Sequence, residues 1–276
     1  MSEEYIGYKE VTLSDEELAA FYSSENSVDY GCKINEYLIL KNTNEEIVDK
    51  YRWNGSELVK INGKPINCKF GGKVVPRNLQ QELALDMIHN EDITVKMLAG
   101  KFGSGKTYLY SAAAVELLEK NKYEKIIFIR NNIEVKNTKP IGFLPGEQDE
   151  KIWPFAAPLA DHVGGEYGLE TMIRNRKVEL AHLGFIRGRD IKNSIIFCTE
   201  AENLTKEHIQ LLISRVGDGS TIWFDGDLKQ RDAEVFVKNS GMELAVSRLA
   251  GHPRFGYVKL LKSERSETAA MADLLD

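Results

Sequence analysis

Cysteine and histidine are scarce in this chain of 276 residues, and neither is arranged as a ligand set or a disulfide framework. The three cysteines, Cys32, Cys68 and Cys198, contain no CxxC pair and leave an odd thiol, which is typical of buried residues in a reducing cytosol. The five histidines show neither HExxH nor Cys/His spacing, so the sequence does not indicate a structural zinc site.

Long apolar runs and an excess of positive charge are also missing. No run approaches the roughly 18 residues that a membrane-spanning helix needs, and the acidic start MSEEYIGYKE predicts neither a secretory signal nor a mitochondrial presequence. The net charge of -6 argues against a protein that coats nucleic acid through its overall field, although local basic patches remain compatible with such contacts. We therefore expect a cytoplasmic protein that does not contact a membrane.

The residue pattern changes near Pro76, and this change divides the chain into two predicted domains. Between residues 36 and 71, short β-prone runs alternate with turn signals, which predicts a small antiparallel β unit. Ser14 precedes the acidic segment DEELAAFYSS and predicts the start of one short helix. We expect a small helix-plus-β N-terminal domain, mostly β, over residues 1–75 and a larger domain over residues 76–276.

After Pro76, helical segments alternate with short buried strands, which predicts an α/β fold with a parallel sheet covered by helices on both faces. The predicted strands are 93–98, 125–130, 194–199, 221–225 and 257–261. The predicted helices include 79–88, 106–119 and 205–215. In such a sheet, ligands bind at the edge where the carboxyl ends of the strands meet.

The segment GKFGSGKT matches the phosphate-binding pattern GxxxxGK[ST], between a predicted strand and a predicted helix. Its glycines let backbone N–H groups turn inward around phosphates, and the helix N-terminus presents the positive end of its dipole to them. Lys106 is expected to reach the β- and γ-phosphates, and the Thr107 hydroxyl to bind Mg²⁺. The predicted nucleotide contacts of this P-loop are Gly100, Gly103, Ser104, Gly105, Lys106, Thr107 and Tyr108.

Several further segments resemble the PhoH family of ATPases, relatives of superfamily 1 helicases built on one RecA-like domain. The similar segments are PRNLQQELALDMI, IGFLPGEQDEKIWPFAAPLAD and FIRGRDIKNSIIF, and GFLPG followed by EKIWPF is specific to the family. The resemblance spans residues 76–276 and implies ATP and Mg²⁺ as cofactors. It also implies that Gln81 reads adenine, with Gln80 as the alternative, and that Arg130 faces the nucleotide or a nucleic-acid groove, unless it is an ordinary surface arginine.

The acidic motif departs from the family pattern. Where the family usually has Asp-Glu-Ala-Gln-Asn, this chain has Thr-Glu-Ala-Glu-Asn from Thr199 onward, so a hydroxyl replaces the aspartate that supports Mg²⁺. By resemblance, Glu200 orients and deprotonates the attacking water beside the metal. The next strand ends in Asp225, where the family usually has Thr. In RecA-like sheets, the strand that ends at Asp225 lies between the strand before the P-loop and the strand that ends at Thr199. We therefore expect Asp225 to supply the metal-binding carboxylate that Thr199 lacks.

The resemblance also implies residues that respond to the γ-phosphate. Asp227 and Gln230 are expected to sense whether it is present. Arg265 resembles an arginine that completes the ATP site, in cis or across a subunit interface, with Arg248 and Arg254 as alternatives. Such an arginine stabilises the charge that builds on the γ-phosphate during transfer.

Two segments carry a local excess of positive charge. Residues 51–77 hold six basic residues against one acidic residue, interleaved with Tyr51, Trp53 and Phe70. This mixture suits single-stranded nucleic acid, or a solvated β surface whose aromatic side chains form the core. Residues 174–192 hold six basic residues against two acidic residues, as expected of a ring's central channel or of a solvated loop.

Together, these features favour an ATP-hydrolysing, helicase-like motor that acts on single-stranded nucleic acid, with RNA preferred, as a homo-oligomer such as a hexameric ring. The N-terminal part resembles the connector of PIN–PhoH fusions without the PIN nuclease, so a separate nuclease partner is also expected. A non-hydrolysing ATP-binding module that controls assembly or partner binding remains the alternative. A small-molecule kinase is disfavoured, because Glu200 and Gln230 suit the activation of water.

Overall fold

The structure is a computed structural model that describes residues 4–24, 28–61, 63–130, 156–229, 236, 239–264 and 271. Its strands are β1 (Tyr8–Thr12), β2 (Tyr37–Lys41), β3 (Ile47–Trp53), β4 (Leu58–Lys60), β5 (Ile66–Cys68), β6 (Gly72–Val74), β7 (Val95–Gly100), β8 (Lys125–Arg130), β9 (Val178–His182), β10 (Ser194–Thr199), β11 (Thr221–Gly226) and β12 (Phe255–Leu260). Its helices are α1 (Asp15–Ser23), α2 (Leu79–His89), α3 (Lys106–Glu119), α4 (Ala157–Ala160), α5 (Gly165–Arg174), α6 (Lys206–Ile213) and α7 (Gly241–Leu249), and 3₁₀ turns cover Leu183–Ile186 and Ala201–Asn203.

A six-stranded parallel sheet forms the centre of the larger part of the fold, in the order β12-β7-β11-β10-β8-β9. Successive residues of a strand point to opposite faces, so Leu98 and Met97 of β7 belong to different apolar clusters. The Leu98 cluster includes residues of α2 and α3, and the Met97 cluster includes residues of α6 and α7. The predicted α/β sheet with helices on both faces is therefore confirmed.

The strand predictions for the large sheet were close, with one omission. Strands β7 and β12 begin at Val95 and Phe255, each two residues from the predicted start. Strand β9 at the edge of the sheet was not predicted, because Glu179 and His182 interrupt its apolar pattern and basic residues precede it. Its pairing with β8 is a long-range contact that the local sequence does not reveal.

A four-stranded sheet in the order β1-β2-β3-β4 and the hairpin β5-β6 make up most of the N-terminal part. Strands β2 to β4 are antiparallel, as predicted. The hairpin is antiparallel too, but its strand β6 lies beyond the predicted β unit of residues 36–71. Strand β1 pairs in parallel with β2 and was not predicted, because Lys9 and Glu10 leave it no apolar run. Helix α1 begins after Ser14, which forms a reciprocal capping box with Glu17 and confirms the predicted helix start.

The N-terminal elements pack directly onto the large sheet and onto α3. The backbone N–H of Lys259 on β12 donates to the carbonyl of Ile6 at 3.0 Å, and the N–H of Asn67 on β5 donates to the Glu116 carboxylate of α3 at 2.9 Å. One apolar cluster contains residues from both sides of the proposed boundary near residue 75. We retain that boundary as a change of architecture across a continuous core.

The cysteines are buried and free of disulfide bonds. Burial raises the pKa of the Cys198 thiol well above its usual range, which keeps that thiol unreactive. Among the residues described above, no helix combines the length and the apolar character needed to cross a membrane.

Candidate nucleotide-binding site

The P-loop connects the carboxyl end of β7 to the N-terminus of α3. Gly103 and Gly105 have φ angles of +77° and +92°, in the left-handed region that glycine enters without strain. A Cβ at Gly100 would lie 2.7 Å from the carbonyl oxygen of Leu260, so the end of β7 also has no room for a side chain. The loop therefore needs glycines both for its turn and for its packing.

Lys106 is the first residue of α3, and its ammonium folds back over the loop. Its Nζ donates to the carbonyl of Gly100 at 2.7 Å and to that of Lys101 at 3.1 Å. These bonds hold a positive charge at the helix N-terminus, beside the inward-turning backbone of the loop. A phosphate bound there would meet both the ammonium and the positive end of the helix dipole.

Thr107 and Asp225 meet at the centre of the site. The Thr107 hydroxyl donates a hydrogen bond to Oδ2 of Asp225, whose side chain is buried at the end of β11. Within the described residues, Oδ1 of Asp225 has no hydrogen bond of normal geometry. Burial raises the pKa of Asp225, against the lowering effects of the Thr107 hydroxyl, the Lys106 charge and the Thr199 hydroxyl.

These oxygen donors suit Mg²⁺, which binds proteins through one or two carboxylates and retains water and phosphate ligands. Strand β11 lies between β7 and β10, so Asp225 stands beside both Thr107 and Thr199. No group of three or more His, Cys, Asp or Glu side chains in the described part of the chain could hold a metal by itself. Thr107 and Asp225 would thus hold Mg²⁺ only together with phosphate oxygens and water.

Glu200 follows β10 and adopts a left-handed backbone conformation, with φ 55° and ψ 44°. Its carboxylate forms an ion pair with Arg130, with 2.6 Å between Arg130 Nη2 and Glu200 Oε2. Residues with a Cβ are uncommon in this conformation, and such strain is concentrated at functional sites. The structure places Glu200 and Arg130 together at the carboxyl edge of the sheet.

Glu202 is a site residue that sequence reasoning missed. Its side chain is buried, and Oε2 accepts a hydrogen bond from the backbone N–H of Asp227 at 3.1 Å. Burial raises the pKa of Glu202 to about 8, and the charges of Asp225 and Glu200 add to the increase. The sequence feature that could have identified Glu202 is its position in Thr-Glu-Ala-Glu-Asn, where the family usually has a neutral glutamine.

Asp227 connects the end of β11 to the P-loop. Its Oδ2 accepts from the backbone N–H of Phe102 in the loop at 3.1 Å, and its Oδ1 accepts from the N–H of Lys229 at 3.1 Å. A change in the loop on phosphate binding would therefore act directly on Asp227. Its predicted sensing partner Gln230 lies outside the described residues.

A cavity of about 210 Å³ opens between the P-loop and the N-terminus of α2. The side chain of Gln81 joins these two elements, since its Nε2 donates to the Ser104 carbonyl at 3.0 Å and its Oε1 accepts from the Arg77 N–H at 2.9 Å. Gln80 instead donates to the hydroxyl of Tyr8. Of the two glutamines, Gln81 is the one at the loop. The cavity is lined by Val74, Val75, Arg77, Gln81, Gly103, Gly105, Tyr108, Leu109 and Glu264.

Tyr108 forms one wall of this cavity and is half exposed. Its ring packs against that of buried His162, with 4.7 Å between the ring centroids. This contact holds an aromatic face beside the P-loop, where a nucleobase could stack on it.

Of the three arginines predicted for the site, the structure describes the two alternatives, Arg248 and Arg254. Arg265 and the GFLPG segment lie outside the described residues. The alternative Arg254 precedes β12 and donates to the Asp92 carbonyl at 3.1 Å, at the amino end of the sheet and therefore at the edge opposite the P-loop. Arg248 lies in the last turn of α7.

The basic segment 51–77 does not form one aromatic surface. Tyr51 and Trp53 are buried in the core of the N-terminal sheet, so the interpretation of these two rings as stacking platforms was wrong. Arg52 forms an ion pair with Asp86. Phe70, at the tip of the β5-β6 hairpin, is 73% exposed and is the ring of the three that remains accessible.

The second basic segment, 174–192, is partly neutralised by its own acidic residues. Arg189 and Lys125 both pair with Glu179, and Lys192 pairs with Asp190. Its exposed residues include Arg187, next to the 3₁₀ turn that carries Phe185.

Comparisons with known proteins show which family the chain resembles. The family profile described as "PhoH-like protein" matches residues 73–273. Protein PhoH2 of Bacillus subtilis is 33% identical over 300 residues, covering 99% of this chain and 65% of that protein. Protein PhoH2 of Mycolicibacterium smegmatis is 32% identical, covering 71% of this chain and 45% of that protein. The chain thus spans less than two thirds of the length of these relatives.

Solved structures are more distant. The crystal structure of Pif1 helicase from Candida albicans matches with a TM-score of 0.41 and 16% identity, over 73% of this chain and 43% of that chain. This similarity is too low to support a functional argument. The family assignment rests on the profile match, which covers most of the chain and includes the P-loop. The chain belongs to the PhoH-like protein family.

Proposed function

We propose that this protein binds ATP with Mg²⁺ and hydrolyses it, and that single-stranded nucleic acid stimulates the hydrolysis. The observation that carries the proposal is the contact of Thr107 with the buried carboxylate of Asp225, next to the Lys106 ammonium at the P-loop. This arrangement provides a hydroxyl, a carboxylate and a cation at one helix N-terminus, as phosphoryl transfer requires.

In the proposed reaction, Lys106 leaves the carbonyls of Gly100 and Lys101 and contacts the β- and γ-phosphates. Thr107 and Asp225 would hold Mg²⁺, which would neutralise charge on the phosphates. Glu200 orients a water molecule and accepts its proton as the water oxygen bonds to the γ-phosphorus. The bond from that phosphorus to the bridging oxygen breaks, which releases ADP and inorganic phosphate. Arg265 stabilises the charge that develops, from the same subunit or a neighbouring one.

The β5-β6 hairpin is one proposed contact for the nucleic acid. Phe70 at its tip is exposed, and Lys64, Lys69 and Lys73 on and beside the hairpin are exposed as well. Bases of a single strand stack on accessible aromatic rings while lysines follow the phosphates. Strand β6 ends at Val74, which lines the same cavity as the P-loop. Binding of nucleic acid at the hairpin would therefore change the position of a residue in the wall of that cavity.

The test is the rate of phosphate release with and without single-stranded RNA, over a series of salt concentrations. Stimulation should decrease as salt rises, because bound phosphates release counterions. Phe70→Ala should reduce the stimulation, and a DNA strand of the same sequence tests the preference for RNA. Turnover that neither RNA nor salt changes would refute the nucleic-acid part of the proposal.

A binding module that does not hydrolyse ATP is the second candidate, and Thr199 favours it. A neutral hydroxyl stands where the family usually has an aspartate, which weakens the support for Mg²⁺. This alternative predicts that the wild type binds ATP saturably but releases phosphate no faster than the Glu200→Gln variant does.

Assembly, location and partners are also proposals. The resemblance of Arg265 to an arginine that acts across a subunit interface supports a homo-oligomeric ring, which light scattering with and without ATP would reveal. Three buried cysteines without disulfide bonds support a cytoplasmic location. The similarity of the N-terminal part to a nuclease connector supports a separate nuclease partner, to be sought by co-purification.

A further inference from the structure

Arg130 is the last residue of β8, and its position is set by the register of the sheet. Residue Thr199 of β10 lies directly opposite Arg130, and Glu200 is the next residue along the chain. The guanidinium and the Glu200 carboxylate are 2.6 Å apart, and the Arg130 side chain is only 17% exposed. Because neighbouring strands are about 4.8 Å apart, the arginine can reach this carboxylate and stay within the protein.

Arg130 belongs to the strand on the far side of β10 from the phosphate site. Strand β11, with Asp225, and strand β7, with the P-loop, are on one side of β10, and β8 is on the other. Arg130 therefore attracts the Glu200 carboxylate toward β8. Glu200 has a left-handed backbone conformation, which residues with a Cβ seldom adopt. The orientation of its side chain therefore depends on the contacts that hold the backbone in this conformation.

An exposed surface next to Arg130, formed by Phe185 and Arg187 beside the edge strand β9, is called the Phe185 corner. His182 of β9 is the partner of Arg130 in the strand register, and its ring packs edge-on against Phe185, with 6.2 Å between centroids. Phe185 is 57% exposed, and Arg187 is exposed next to it. A base stacked on Phe185 would bring the phosphates of its strand close to the Arg130 guanidinium.

We propose that Arg130 is a positioning residue that restrains Glu200 in the resting protein, and that a phosphate of a nucleic-acid strand at the Phe185 corner competes for Arg130 and releases Glu200. The inference rests on the hydrolytic function proposed above. A guanidinium binds a carboxylate or a phosphate through the same planar set of donors, so one can replace the other. The γ-phosphate of ATP has the same chemistry, and a measurement without RNA separates the two sources.

The experiment measures kcat and KM for ATP in the full chain, with and without single-stranded RNA, for the wild type, Arg130→Gln and Arg130→Lys. In Arg130→Gln the RNA-free kcat should rise about threefold or more while KM stays unchanged, and RNA should add little further stimulation. Arg130→Lys keeps the charge but loses the paired donors, and its values should lie between the other two. Arg215→Gln is the matched control, because the Arg215 side chain contacts Ser214 and the Arg189 carbonyl, ahead of the amino end of β11.

Several results would overturn the inference. An RNA-free kcat that is unchanged or lower in Arg130→Gln, with RNA stimulation intact, refutes the restraint while the hydrolytic function stands. Absence of turnover in both the wild type and Arg130→Gln refutes the hydrolytic function and the restraint with it. If Arg130→Gln does not fold, as judged by its thermal unfolding, Phe185→Ala decides. This exposed substitution should reduce RNA stimulation, and full stimulation would refute release by a strand at this corner.

Discussion

The hydroxyl of Thr107 donates a hydrogen bond to the carboxylate of Asp225, across 118 positions of the sequence. The contact exists because β11 pairs directly with β7 and delivers Asp225 beside the first turn of α3. Thr199, at the end of the next strand, contributes a hydroxyl where a carboxylate is usual in the family. A carboxylate therefore stands at the end of β11, one strand nearer to the P-loop than the end of β10, where the family usually has one.

Asp225→Ala should lower Mg²⁺-dependent phosphate release by about a hundredfold or more, because it removes the buried carboxylate that would bind the metal. Thr199→Asp in the same chain should recover about tenfold of that loss by restoring a carboxylate on the neighbouring strand. A steady-state phosphate assay across Mg²⁺ concentrations checks both variants. Asp218→Ala, in the turn before β11 at the opposite edge, is the control. Full activity of Asp225→Ala would disprove the assignment.

Lys106→Ala should weaken ATP binding by about ten- to a hundredfold, because charge-assisted hydrogen bonds to the phosphates are lost. The fold should tolerate the change, because the hydrogen bonds of the Lys106 ammonium in the described part of the chain go to the P-loop carbonyls of Gly100 and Lys101. Titration with a fluorescent ATP analogue measures the affinity. Lys122→Ala removes an exposed lysine that pairs with Glu91 and should bind normally. Equal affinities of the two variants would contradict the phosphate contact.

Gly7→Ala should lower the free energy of unfolding by about 3 kcal/mol, through left-handed strain and overpacking together. Gly7 has φ +90°, and an added Cβ would lie 1.9 Å from the carbonyl oxygen of Tyr257. Gly72→Ala is a matched control, because Gly72 has φ +69° with open space around it and should lose only about 1 kcal/mol. Urea unfolding of both variants measures the difference, and equal losses would mean that the contact with β12 is not close.

Stability should fall as pH rises, in part because of Glu202. Its pKa is raised from 4.5 to about 8, so the native state holds the proton more tightly than the unfolded state does. The stabilisation from the bound proton is complete below pH 4.5 and is lost as pH rises through about 8. Between these two values, the free energy of unfolding falls by about 1.4 kcal/mol for each pH unit. Glu202→Gln should therefore flatten the decline in the free energy of unfolding between pH 5.5 and pH 8.

The measurement is urea unfolding at several pH values in the presence of EDTA, so that metal binding does not contribute. Glu170→Gln, at an exposed position of α5, should leave the pH dependence unchanged. The same slope in Glu202→Gln and in the wild type would show that Glu202 does not hold its proton.

The P-loop and the parallel sheet could be predicted because each depends on local pattern. Glycine spacing defines Gly100 to Thr107, and continuous apolar runs define β8, β10 and β11. The proximity of Asp225 to Thr107 followed from the strand order of similar sheets. These features need no knowledge of side-chain packing.

Other features depend on contacts between distant segments and could not be predicted. The pairing of Arg130 with Glu200 depends on the register between β8 and β10. The burial of Tyr51 and Trp53 depends on which face of the N-terminal sheet meets α1, since the same rings on the other face would be exposed. The raised pKa of Glu202 arises from burial beside Asp225, which its sequence position alone does not reveal.

Ile6 protects the outermost strand of the large sheet. By accepting a hydrogen bond from Lys259, this N-terminal residue occupies part of the edge that β12 would otherwise present to another chain. Exposed strand edges are templates for intermolecular pairing and aggregation. Loss of the first seven residues would therefore lower the solubility of the protein as well as its stability, because it would uncover backbone groups of β12 to which a strand of another chain can pair.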